Sequence, residues 1–137
     1  MFKIEALQNI YNLLKKNKLN EANKFLIQLR GTYFINPDYL FLMSLMLSKT
    51  SRIYLSIDTM LLSLLVDNSP EVLIKHKHTN SSEEVNSERF KILIILFKKI
   101  NITDLADKVE TAMEKNDSLE LLSHINKIMP GIRINNK

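Results

Sequence analysis

Helix breakers are scarce in this chain. Across 137 residues there are two glycines, Gly31 and Gly131, and three prolines, Pro37, Pro70 and Pro130. Tight turns between β-strands need residues that accept positive φ, usually as Asn-Gly, Asp-Gly or Gly-Gly pairs, and no such pair occurs here. A chain this long with so few breakers is expected to fold as a few long helices. Its 45% apolar and 25% charged residues are the proportions of a globular domain rather than a disordered segment.

Apolar periodicity supports the same class. Ile4, Leu7, Ile10, Tyr11 and Leu14 recur at the i, i+3, i+4, i+7 spacing of one helical face, and the pattern predicts a helix over 3–16. A second helix is expected over about 19–30, with Ala22, Phe25, Leu26 and Leu29 inward and Gly31 as its stop. Asn36-Pro37-Asp38 reads as a helix start: a capping side chain, a proline at the first position, an acid in the first turn. The helix it opens, 37–49, is apolar on nearly every side. Helices over 51–67, 71–75, 84–100, 103–115 and 118–129 follow, with Thr103 as a cap. The 76–83 stretch is polar and aperiodic; it is expected to be a loop and the most mobile interior part. The tail 130–137 is expected to be loose. All of this is read as one all-α domain over 1–137, with helical hairpins over 3–70 and further helices over 84–129.

The first two helix pairs superpose at an offset of 34 residues. Leu13 falls on Leu47, Asn17 on Ser51, Leu19 on Ile53, Ala22 on Ser56, Leu26 on Met60 and Leu29 on Ser63. This pattern resembles the tetratricopeptide repeat. In that family small residues sit where two helices cross closely, as at Ser56 and Ser63, and Ser44 stands where the family prefers glycine. The likeness covers roughly 3–70 and is degenerate. It lacks a tryptophan, inter-helix glycines and the usual prolines, and Ile10 departs from the pattern. A third copy in the same register would put His78 and Phe90 at small positions, so the repeat breaks at 71–85.

The resemblance implies an antiparallel right-handed stack of hairpins, about six to seven helices in all. It also implies a ligand groove lined by the first helix of each hairpin. On this sequence the groove positions are Ile4, Leu7, Tyr11, Leu14 and Lys15, then Asp38, Phe41, Leu45, Ser48 and Lys49. Most are apolar, which suits a helical or apolar segment of a partner protein. Phe41 and Leu45 are expected to face that partner, while Leu40, Met43 and Leu47 pack on helix 51–67. The alternative is that the C-terminal helices fold back and fill the groove.

Other functions have less behind them. There is no cysteine, which excludes disulfides, thiolate metal sites and a thiol nucleophile. His76 and His78 could begin a zinc site only if further ligands converged, and Lys75 and Lys77 beside them repel a cation. No phosphate loop, serine-hydrolase elbow or H-E-x-x-H motif is present, so no catalytic residue, metal or cofactor is expected and the chain is read as a non-enzyme. The net charge is +4, with lysines scattered among acids. A nucleic-acid role through Lys75–His78, Lys91, Lys98 and Lys99 is the rival reading, and a self-associating subunit is another. No apolar run approaches the roughly 20 residues of a membrane span, and the protein is expected to be cytoplasmic. The reading is therefore an adaptor or chaperone-like module whose partner is another protein or a second copy of itself.

Overall fold

The computed structural model describes residues 2–123. It is all-helical, with no strand among the described residues. The elements are α1 (Glu5–Lys15), α2 (Leu19–Tyr33), α3 (Pro37–Lys49), α4 (Ile53–Asp67), α5 (Pro70–Lys75), α6 (Glu83–Lys99) and α7 (Thr103–Lys115). Residues 118–123 begin a further helix. The rest of the helix expected over 118–129, and the 130–137 tail, lie outside the described residues.

Local chemistry explains most boundaries. Asn36 caps α3 as expected: its side-chain oxygen accepts from the backbone N–H groups of Asp38 (2.9 Å) and Tyr39 (3.2 Å), and Pro37 takes the first helical position. Ser82 caps α6 by accepting from the Val85 N–H at 3.3 Å. Two expectations need correction. Gly31 does not end α2, which continues to Tyr33. Glycine inside a helix costs about 0.5–1 kcal/mol relative to alanine, but Leu29 and Tyr33 on either side pack against the core and carry the helix through. Thr103 is also not a cap; it is the first residue of α7, and Ile102 holds the cap position without a side-chain bond.

The hairpin turns are alike. At each, one residue adopts the left-handed conformation: Asn17 (φ 58°), Ser51 (φ 63°) and Asn101 (φ 61°). The following N–H then reaches back to a carbonyl in the preceding helix, Lys18 to Leu13, Arg52 to Leu47 and Ile102 to Phe97, each at 2.9 Å. This bond satisfies carbonyls a helix end would otherwise leave open. Lys77 closes α5 and Asn116 closes α7 in the same way. Among the described residues none of these five is a glycine, so each carries roughly 1 kcal/mol of backbone cost that glycine would avoid.

These turns reveal a third hairpin in step with the first two. Asn101 follows Ser51 by 50 residues, where Ser51 follows Asn17 by 34. The 16 extra residues divide between the longer α4–α6 connection, which holds α5, and α6 itself, 17 residues long against 13 in α3. With that allowance Ala106 falls on Ser56 and Ala22, and all three are fully buried. Glu110, by contrast, is exposed where Leu26 and Met60 are buried.

Packing follows the hairpin order. α1 pairs with α2, α3 with α4 and α6 with α7, while α3 also packs on α1 and α2, and α6 on α4 and α3. At the α3–α4 crossing two serines replace apolar side chains. Ser44 Oγ donates to the Ser56 carbonyl (2.6 Å) and Ser56 Oγ to the Ser44 carbonyl (2.7 Å). Ser63 Oγ donates to the Pro37 carbonyl at 2.6 Å. Buried hydroxyls are tolerated because each finds a partner, and their small size lets the two backbones approach. One main core joins residues of α1 to α4, α6 and α7, including Leu7, Leu14, Phe41, Met60, Phe90, Phe97 and Val109. A smaller cluster of Leu40, Val66 and Leu73 pins α5 against α3 and α4.

Candidate functional site

The first helices of the first and third hairpins, α1 and α6, face each other across a cleft of about 480 Å³. Tyr11 and Lys15 line one wall; Glu83, Glu84, Ser87, Glu88 and Lys91 line the other. The Lys15 ammonium lies over the Tyr11 ring, 5.2 Å from its centroid, a cation–π contact that leaves the charge exposed. Lys91 approaches Glu88 at 3.9 Å, one helical turn away. Burial, and secondarily the Glu88 charge, raises the Tyr11 hydroxyl above the usual phenol pKa. Tyr11 also belongs to a three-ring cluster, 5.1 Å from Phe2 and 6.3 Å from Phe41, with Phe2 and Phe41 5.9 Å apart.

The ten residues expected at the site do not share one surface; Ser48 is half-buried and donates to the Leu45 carbonyl at 2.8 Å. Tyr11 and Lys15 line the cleft. Leu7, Leu14 and Phe41 are fully buried inside the chain. Phe41 therefore does not await a partner: Phe2 and Tyr11 cover it, and α6 packs on its helix. Leu47, expected inward, is only half-buried. Phe41 does face α1 and Leu40 does pack with Val66 of α4, but the Phe41 side is closed rather than open, because α1 and α6 both pack on α3. Ile4 and Leu45 are half-buried against the same core. Lys49 is exposed and donates to Asn17 in the first turn at 3.2 Å. Asp38 is nearly inaccessible and sits elsewhere.

Asp38 belongs to a polar cluster that sequence reading did not find. Arg89, on the buried face of α6 among Val85, Phe90 and Leu93, is wholly inaccessible. Its Nη1 donates to Asp67 Oδ2 (3.2 Å) and Asn86 Oδ1 (3.1 Å), and Nη2 donates to Ser81 Oγ. Ser81 Oγ donates in turn to Asp38 Oδ1 at 2.6 Å, and the Ser81 N–H to Asp67 Oδ1 at 2.7 Å. Asn80 donates to the Asp67 carbonyl at 2.6 Å. The 76–83 connector is a loop, as expected, but its second half is anchored to α3, α4 and α6. Burial pulls the Arg89 guanidinium below its ordinary pKa, opposed by the charge and hydrogen bond of Asp67. Burial raises Asp38 above the ordinary carboxylate value, opposed by the Ser81 bond and the Arg89 charge.

Two signals could have exposed these residues. Glu84, Glu88 and Lys91 recur at i, i+4, i+7, one charged stripe on α6, where Glu84 by itself reads as a dipole-favoured residue at a helix start. Arg89 interrupts the apolar series Val85, Leu93, Leu96, and a lone cation on an apolar face requires a buried partner. Among the described residues no three histidines, aspartates or glutamates converge as metal ligands. No described helix is long and apolar enough to cross a membrane. No family model matches the sequence, and neither a curated protein nor a solved structure shows significant similarity to it.

Proposed function

We propose that this chain is a protein-interaction module: a tetratricopeptide-like array of three hairpins that holds a segment of a partner in the cleft between α1 and α6. The observation that carries the reading is the cleft itself, formed by the first helices of the first and third hairpins. Its walls suit a different occupant from a purely apolar segment. Three glutamates outnumber Lys15 and Lys91, and Tyr11 supplies a half-buried ring. An amphipathic helix that sets an apolar side chain on Tyr11 and a basic one toward Glu84 and Glu88 fits these walls.

The test is site-specific photo-cross-linking in the native cell. A photoreactive phenylalanine at Tyr11 should capture a discrete partner, and one at Lys108 on α7 should not. Glu84→Lys/Glu88→Lys should abolish capture without changing helicity. Equal capture from both positions, or capture that survives the charge reversal, would remove the cleft as the site. A cross-link to a second copy of this chain would make it a self-associating subunit.

A further inference from the structure

Another surface, at the end of α2 and along the connector after α5, has a composition the cleft lacks. It gathers four rings. Phe34 meets His76 edge-on with centroids 5.7 Å apart, His76 and His78 lie nearly parallel at 6.4 Å, and Tyr33 is 6.1 Å from His78. Phe34 is 53% exposed, and Ile74, two residues before His76, is 78% exposed. Ile27, Gly31 and Phe34 follow one another at helical spacing on α2. Ile27 is 65% exposed, and the Gly31 position has open space around it. Arg30, one turn before Phe34, and Lys75 and Lys77 on either side of His76 are all exposed. Within 70–78 the single acid is Glu71.

We propose that this aromatic and basic surface binds single-stranded nucleic acid. Its apolar parts need a flat or apolar group to cover them, and its cations need an anion at short repeat. A single strand supplies both, a phosphate and an unpaired base per nucleotide. A purely acidic peptide such as polyglutamate would satisfy Arg30, Lys75 and Lys77 but leave Phe34 in water. A duplex would present phosphates with its bases stacked away from the rings. Asn36 Nδ2 lies 3.3 Å from His78 Nδ1, which ties the ring pair to the capped start of α3. The platform is therefore attached to the folded core.

Fluorescence anisotropy with a labelled 12-nucleotide oligo(dT) or oligo(U) tests this on the full chain. Binding should be measurable at 50 mM salt. Three phosphate contacts on a single strand imply a loss of about twentyfold in affinity on going to 200 mM. Phe34→Ala should cost at least about fivefold, the low end of one stacked base. Lys75→Glu/Lys77→Glu should cost at least about tenfold. Both variants should retain wild-type circular dichroism, since the residues changed are exposed. A hairpin duplex of equal charge should bind more weakly than the single strand. Four outcomes would overturn the proposal: no binding at 50 mM salt, binding unchanged in both variants, displacement by polyglutamate at equal charge with no effect of Phe34→Ala, or preference for the duplex.

Discussion

Removing the Arg89 side chain's charge should loosen the joint between the second and third hairpins. Arg89→Met keeps most of the volume and deletes the donors to Asp67, Asn86 and Ser81. Breaking one side of a buried ion pair costs about 3–5 kcal/mol, because the partner charge stays behind in a poor solvent. Asp67 tempers that cost: its side chain is 12% exposed and it still accepts from the Ser81 N–H at 2.7 Å. The low end, about 3 kcal/mol, is expected. With a urea slope of about 1.5 kcal/mol per M, the unfolding midpoint should fall by about 2 M at unchanged slope. Far-UV circular dichroism across a urea series reads this directly. In a double-mutant cycle Asp67→Asn should be less harmful in the Arg89→Met background than in the wild type, by about 1–2 kcal/mol. An Arg89→Met protein as stable as the wild type, with no coupling to Asp67, would refute the view that this pair organises the joint.

The burial of α3 makes a second comparison decisive. Phe41→Asp should cost at least about 4 kcal/mol, since it removes a fully buried ring and buries a charge without a partner; Leu47→Asp, at a half-buried position, should cost clearly less, and equal or reversed losses in thermal melts would contradict the packing described. Asp38 supplies a pH test. Its folded-state pKa is raised above 3.8, chiefly by burial, so the folded protein holds this proton more tightly than the unfolded chain does. That contribution is present below the ordinary aspartate range and is lost as pH rises through the raised value. Asp38→Asn, which keeps an oxygen for Ser81, should therefore melt no lower than the wild type at pH 7 and flatten the dependence of stability on pH above 3.8. A lower melting temperature at pH 7 would count against this account.

Helices were legible where periodicity and caps agreed. Asn36-Pro37-Asp38 announces α3 because all three residues act locally. Gly31 misled because glycine at a helix end and glycine inside a helix look alike in sequence; contacts of Leu29 and Tyr33 with the core decide between them. The third hairpin was hidden by a change of period, since a longer connection and a longer α6 together shift Ala106 out of the 34-residue register. Its turn was legible as the break between the helices expected over 84–100 and 103–115, but not as a counterpart of the turns at Asn17 and Ser51. The burial of Phe41 was not legible, because an all-apolar helix has no polar face to show which of its sides stays open. Phe2 and Tyr11 cover it from well outside its own helix, and local pattern does not carry that information.

The inserted segment also bears on the order in which the molecule assembles. Each hairpin closes through a turn of three residues, a short loop that forms early and at little entropic cost. The second and third hairpins meet only after residues 68–82 have been ordered, and the contacts that reward this ordering are directional: Arg89 must reach Asp67 while Ser81 sits between Asp38 and the guanidinium. Apolar surfaces can slide into register by degrees, whereas a buried charge has little favourable intermediate. The α6–α7 pair is therefore expected to dock late, and the same pair to be the first to open in excursions from the native state. Amide protons of α6 and α7 should exchange together and faster than those of α3 and α4, a division of the chain into two cooperative blocks with its border at the connector.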